Sequence, residues 1–249
     1  MSNARNIASG SKFVDTAGDT MTGRLSIQES AAAGEGILLI NSRNVAGTYS
    51  DLKWAYSVAD QSYGSGLRFK QVDTTHGGQL EFYTDNASGS YTKQMQITEN
   101  GHVTMPNQPS FFARGSGNNW VSISNGNRSS PTYATPIFNT GSHFNTSNGR
   151  FTAPVNGLYY FMFHPYVKMN SPSDSGYYGT TEILVNGNLY NGLETIYGYY
   201  NAADYDQVQP VTSIISLSAS DYVTTAVQAN NADVSFYERG CYFMGYLIG

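Results

Sequence analysis

The segment Gly157-Leu158-Tyr159-Tyr160-Phe161-Met162-Phe163 constrains this chain more than any other. Its aromatic residues favour a strand, and side chains alternate across a strand, so Tyr159, Phe161 and Phe163 share one face while Leu158, Tyr160 and Met162 share the other. Both faces are apolar. An antiparallel strand at the surface of an isolated sandwich is apolar on one face only. This strand therefore needs two covers, a partner sheet on one side and something else on the other. A second copy of the same chain is the economical second cover.

The rest of the composition suits an all-β protein. Only 12% of the 249 residues are charged, and Gly, Ser, Thr, Asn and Tyr take their place, which favours turns and hydroxyl- and amide-rich surfaces over long helices. Lys and Arg number 13 against 18 Asp and Glu. With no basic run, a face that neutralises phosphates cannot be assembled, so nucleic acid is not an expected partner. The longest aliphatic run, Ile37 to Ile40, is too short to span a bilayer. The N-terminus MSNARNIASGSKF has no apolar signal core, and we expect a chain made in a cytoplasm, with no membrane insertion.

Signals for chemistry are absent. His76, His102, His143 and His164 are scattered, with no H-E-x-x-H and no zinc-type His and Cys spacing, and there is no G-x-S-x-G, P-loop or G-x-G-x-x-G. Cys241 is the single cysteine and lies in an apolar segment, where it reads as a small buried hydrophobe. Glu182, Glu194, Asp204 and Asp206 are the acids a glycan-cleaving pair would draw on, but acids this sparse read as solvated loop residues. The expectation is a protein that is not an enzyme and carries no cofactor.

The C-terminal half resembles a known family. Phe138-Asn139, Phe144, Gly149-Arg150-Phe151-Thr152-Ala153-Pro154 and Gly157 with its alternating aromatics match, in type, order and spacing, the globular heads of the complement C1q and tumour necrosis factor superfamily. Ser110-Phe111-Phe112-Ala113-Arg114 looks like that family's first strand and Ile183-Leu184-Val185-Asn186-Gly187 like its strand that turns on Asn-Gly. Ala219 to Val223 looks like a turn into a late strand, and Ser235-Phe236-Tyr237 with Cys241 to Ile248 like the closing strands. The resemblance implies a homotrimeric jelly-roll sandwich over residues 110–249 that binds a receptor. Ala153 departs from it, standing where many relatives carry cysteine. Some relatives bind calcium, but Asp204 and Asp206 supply only the beginning of the six to eight oxygens that ion takes, so no metal is expected.

Residues 1–35 read as an attachment segment. Within them Gly18-Asp19-Thr20-Met21-Thr22-Gly23-Arg24-Leu25 resembles an element that recurs in bacteriophage tail-fibre proteins, with Met21, Leu25 and Ile27 suited to packing along a threefold axis. Residues 36–109 show short alternating strands, at 36–40, 52–58, 67–72, 80–83, 94–98 and 102–105, with Asn100-Gly101 as a two-residue hairpin turn. They read as an antiparallel domain, either a sandwich or a β-prism shared by three chains. Pro106-Asn107-Gln108-Pro109 then reads as a linker.

A tyrosine-rich region supplies the candidate ligand site: Tyr177, Tyr178, Tyr197, Tyr199, Tyr200, Asn201, Asp204 and Tyr205. Tyrosine offers a flat apolar face and a hydroxyl at small entropic cost, and amides and carboxylates hydrogen-bond hydroxyl-rich ligands. The combined expectation is a virion fibre protein whose trimeric head binds a host surface glycan or receptor protein, with other virion proteins held through the N-terminus. The alternatives are a purely structural fibre or connector and, behind that, a polysaccharide-depolymerising spike.

Overall fold

The computed structural model describes residues 46–55, 64–74, 77–85, 89–134, 136–170, 178–198, 207–231 and 233–249. The fibre-like element at Gly18 to Leu25 and the expected strand at 36–40 lie outside them. All regular structure among the described residues is β, apart from one 3-10 turn at Glu238–Gly240.

The N-terminal part is one antiparallel meander: β1 (Tyr49–Ala55), β2 (Gly64–Gln71), β3 (Gly78–Asp85), β4 (Tyr91–Ile97) and β5 (Val103–Thr104), ordered as in the chain. The β4–β5 connection differs from the expected two-residue turn. Thr98 N donates to His102 O at 2.9 Å and Gly101 N to Thr98 O at 2.9 Å, and Gly101 alone takes the left-handed conformation, at φ 79°. The loop is therefore three residues long, a type I turn closed by a left-handed glycine.

Register gives this sheet two unlike faces. On one, Arg68 grips Asp51 with both forks, at 2.9 and 3.0 Å, donates to the Tyr83 hydroxyl at 3.2 Å, and lies 3.7 Å from the Tyr49 ring centroid. Next to it Glu81 is buried yet accepts from Gln79, Tyr83 and Lys93 at 3.1, 2.9 and 3.2 Å. Much of the polar face is thus tied together by its own hydrogen bonds. On the other face the ladder sets two apolar rows across the strands, Leu52-Leu67-Phe82-Met95 and Phe69-Leu80-Ile97-Val103.

The remainder is a two-layer sandwich. Its strands are β6 (Ser110–Arg114), β7 (Trp120–Ile123), β8 (Arg128–Ser129), β9 (Phe138–Thr140), β10 (Phe144–Asn145), β11 (Arg150–Thr152), β12 (Gly157–His164) and β13 (Tyr166–Met169). They continue with β14 (Tyr178–Val185), β15 (Asn188–Gly198), β16 (Gln207–Val208), β17 (Val211–Leu217), β18 (Tyr222–Asn230), β19 (Val234–Tyr237) and β20 (Tyr242–Leu247). One layer is ordered β17-β12-β20-β6-β9. The facing layer is β10-β11-β18-β14-β15, with β8 beside β18, and β16-β13-β19-β7 closes the end.

The core between the layers is aromatic. Phe111 stacks between Phe144 and Phe151, at centroid distances of 4.6 and 5.1 Å, and meets Phe243 edge-on at 4.8 Å. Such offset and edge-to-face pairs are worth more than their buried area alone. Across the ladder Phe161, Gly245 and Phe111 form one row. A Cβ on Gly245 would lie 2.5 Å from the Phe161 ring and 2.9 Å from the Tyr160 carbonyl oxygen, so glycine is what lets the two phenylalanines close over β20. The β14–β15 hairpin turns on Asn186 and Gly187, both left-handed at φ 51° and 81°, the pair of conformations a type I′ turn demands.

Cys241 is fully buried, and burial pushes its thiol up to about 12. Tyr133, in the same core, is likewise held well above its ordinary value by burial, although its hydrogen bond to Thr225 Oγ1 pulls the other way.

Two outcomes follow from this core. Gly245→Ala should destabilise the sandwich by about 1–3 kcal/mol through overpacking, read as a lower urea midpoint at unchanged slope. Both Cys241 and Tyr133 bind their protons more tightly folded than unfolded, so the Cys241 contribution is complete below about pH 8.5 and the Tyr133 contribution below about pH 10, each being lost as pH rises further. Urea midpoints should fall between pH 8 and pH 10.5, and Cys241 should resist alkylation at pH 8 until the chain unfolds.

Candidate functional site

Strand alternation puts Tyr159, Phe161 and Phe163 of β12 in the core, all fully buried, and sends Leu158, Tyr160 and Met162 to the outer face of their sheet. Register carries the pattern sideways. One outer row runs Ile214-Tyr160-Tyr246-Ser110, the next Thr212-Met162-Met244-Phe112-Phe138, and a third His164-Tyr242-Arg114. Rings from neighbouring strands touch along these rows: Tyr160 and Tyr246 at 5.3 Å, Phe112 and Phe138 at 6.2 Å, His164 and Tyr242 at 5.6 Å.

Ile214, Tyr246, Phe138 and Leu158 are 46 to 60% exposed on the single chain. Arg114, its guanidinium carbon 5.7 Å from the Tyr242 centroid, is the one charged side chain in these three rows. A contiguous apolar sheet face with charge confined to its border has the composition of an interface centre. His164, read from the sequence as a buried or interface histidine, takes its place in the third row.

The predicted tyrosine site is only partly described. Tyr177, Tyr199, Tyr200, Asn201, Asp204 and Tyr205 lie outside the described residues. Tyr178 opens β14 and is half-buried, opposite Gly198 on one side and Asn230 on the other. Tyr197 lies in β15 opposite Gly179, so Tyr178 and Tyr197 occupy adjacent positions on neighbouring strands at the same end of this hairpin.

Glu182 corrects the reading of the acids as solvated loop residues. It is a strand residue, fully buried, paired with Arg128 through Oε2 at 2.5 Å and Oε1 at 3.1 Å, and it accepts from Thr180 Oγ1 at 3.1 Å. Glu194 is its cross-strand partner on β15, and Arg128 holds Glu182 as an ion-pair acceptor. The signal the sequence reading missed was the strand: Glu182 precedes the core residue Ile183 in β14, and Arg128 arrives from β8 54 positions upstream. Asp206, like Asp204, lies outside the described residues. Among the described residues no group of three or more His, Cys, Asp or Glu could hold a metal ion, and no helix is long and apolar enough to cross a membrane.

No curated protein matches the chain. Among solved structures, it is similar to the globular domain of a zebrafish complement 1qA protein, at 16% identity over 57% of this chain and 98% of the other, with a TM-score of 0.42. It is also similar to the Eiger tumour necrosis factor of S. frugiperda, at 13% identity over 57% and 94% with a TM-score of 0.44, and to murine APRIL, at 13% over 57% and 99% with a TM-score of 0.39. The C1q domain family matches residues 121–248, a span of 128 of the 249 residues, and the chain belongs to that family.

Proposed function

We propose that this protein is a homotrimeric phage fibre component whose C1q-like head binds a receptor on the host surface. The observation that carries the reading is the outer face of the β17-β12-β20-β6-β9 sheet, largely apolar, with its one charge at the border row, and open on the single chain. Threefold closure buries it, and domains of this family are typically trimeric and receptor-binding. The fibre assignment rests on the Gly18 to Leu25 element, and with it the protein sits in the virion, residues 1–35 docking to other virion proteins and residues 36–109 forming a connector to the head at 110–249.

The receptor, a glycan or a protein, docks on the tyrosine-rich region from Tyr177 to Asp206. Three weak sites on one rigid head bind by avidity, because the second and third contacts form at high effective concentration. No reaction is required of such a head, and Glu182, the most buried acid among its described residues, is engaged by Arg128.

Two measurements test this. Light scattering of the purified chain should report three copies, and the Leu158→Asp/Ile214→Asp double variant, altered at positions exposed on the single chain, should give folded monomers. Tyr199→Ala or Tyr200→Ala should leave mass and melting temperature unchanged while adsorption to host cells falls at least about tenfold, the loss of roughly 1–2 kcal/mol at a central aromatic contact. Normal adsorption by both tyrosine variants would place the receptor site elsewhere.

A further inference from the structure

The β1–β5 sheet has one face built of hydrogen-bonded polar residues and one apolar face that is open. Arg68, Asp51, Glu81 and their partners bond to one another within the sheet on the first. On the other side Leu52, Phe69 and Val103 are 43 to 53% exposed, and none of the sheet's residues joins the core cluster of the sandwich. A single antiparallel layer with an open apolar face is marginal in water, because the strands alone bury too little surface to offset their ordering. A second layer is required, and it is not among the described residues of this chain.

We propose that two further copies of this chain supply it, so that three β1–β5 sheets turn their apolar faces onto a common threefold axis. Three features point to that occupant. First, the sheet is tied to the edge of the trimer face. Only residues 105–109 separate β5 from β6, Gln108 Nε2 donates to Leu247 O at 2.5 Å, and Leu247 N donates to Pro109 O at 3.0 Å. Second, the apolar surface continues across this junction: Met105, Gln108, Tyr246 and Ile248 line one cleft, and Met105, Tyr246 and Ile248 are all exposed. An axis that buries Tyr246 therefore passes beside Met105 and on to Val103. Third, the two apolar rows contain no charged residue, so copies of this face meet without like-charge repulsion, while the charged residues of the sheet stay on the solvent side. A closed ring of three gives each sheet a neighbour and leaves none exposed.

This rests on the trimer proposed for the head, and the test separates the two. Hydrogen exchange is followed on backbone amides of 64–71 and 78–85 in the full-length chain, alongside mass by light scattering. The wild type should be a trimer with both segments protected. Phe69→Asp, which leaves the polar network intact, should remain a trimer through its head while exchange in 64–85 accelerates at least about tenfold and that of β12 and β20 is unchanged. In the monomeric Leu158→Asp/Ile214→Asp variant the same segments should lose protection with no change made in the sheet itself.

Unchanged exchange in Phe69→Asp would overturn the proposal, because the face would then have no cover to lose. Protection that persists at 64–85 in the monomeric variant would also overturn it, and would assign the cover to residues 1–45 of the same chain. A monomeric wild type would instead remove the trimer of the head, and this inference with it.

Discussion

The structure depends on covering strand β12 on both sides. Inside, Tyr159, Phe161 and Phe163 pack into an aromatic core where Phe111, Phe144, Phe151 and Phe243 meet in stacked and edge-to-face pairs. Outside, Leu158, Tyr160 and Met162 belong to rows that run across β17, β20, β6 and β9. The inner side is solved within one chain. Among the described residues nothing covers the outer side, and the hydrophobic effect makes association the cheapest remedy for an open face of this kind. In the proposed trimer the same strand organises the fold and directs the assembly.

Packing inside the sandwich leaves little slack, and several polar groups are buried there with partners. Tyr133 and Thr225 share a hydrogen bond of 2.6 Å in the core, Thr181 donates to the Gln209 carbonyl at 2.8 Å, and Glu182 is held by Arg128 and Thr180. Each group would cost more unsatisfied than its bond returns. Satisfied, they favour one arrangement of the facing layer, and that rigidity is what a head needs to present several weak sites in fixed relation.

The N-terminal sheet repeats the problem in a simpler form. Its charged residues cluster on one face and neutralise one another, with Arg68 between Asp51 and the rings of Tyr49 and Tyr83. That division leaves the other face uncharged, with two apolar rows at its centre and Ser50, Ser65 and Thr84 at its margin. Sheet and sandwich present their open faces on either side of the same short junction, so the two requirements for cover have a common solution.

Much of this was legible in residue order. The alternation of β12, the first strand at Ser110 to Arg114, the Asn186-Gly187 hairpin and the burial of Cys241 all follow from local pattern, because strand periodicity, turn chemistry and side-chain polarity act over a few neighbouring residues. The Asn100-Gly101 loop shows the limit of such signals: one Asn-Gly makes a two-residue turn and the other a three-residue one, since loop length is set by how β4 and β5 pair, as the Thr98 and His102 hydrogen bonds record. Glu182 marks a deeper limit. Nothing within a few residues of it announces an ion pair with Arg128, and only the sandwich, by laying β8 beside β18 and β18 beside β14, brings the two together. Likewise the sequence showed that β12 has two apolar faces, but which face turns inward, and which side chains of other strands extend the open one, was decided by register between strands distant in the chain.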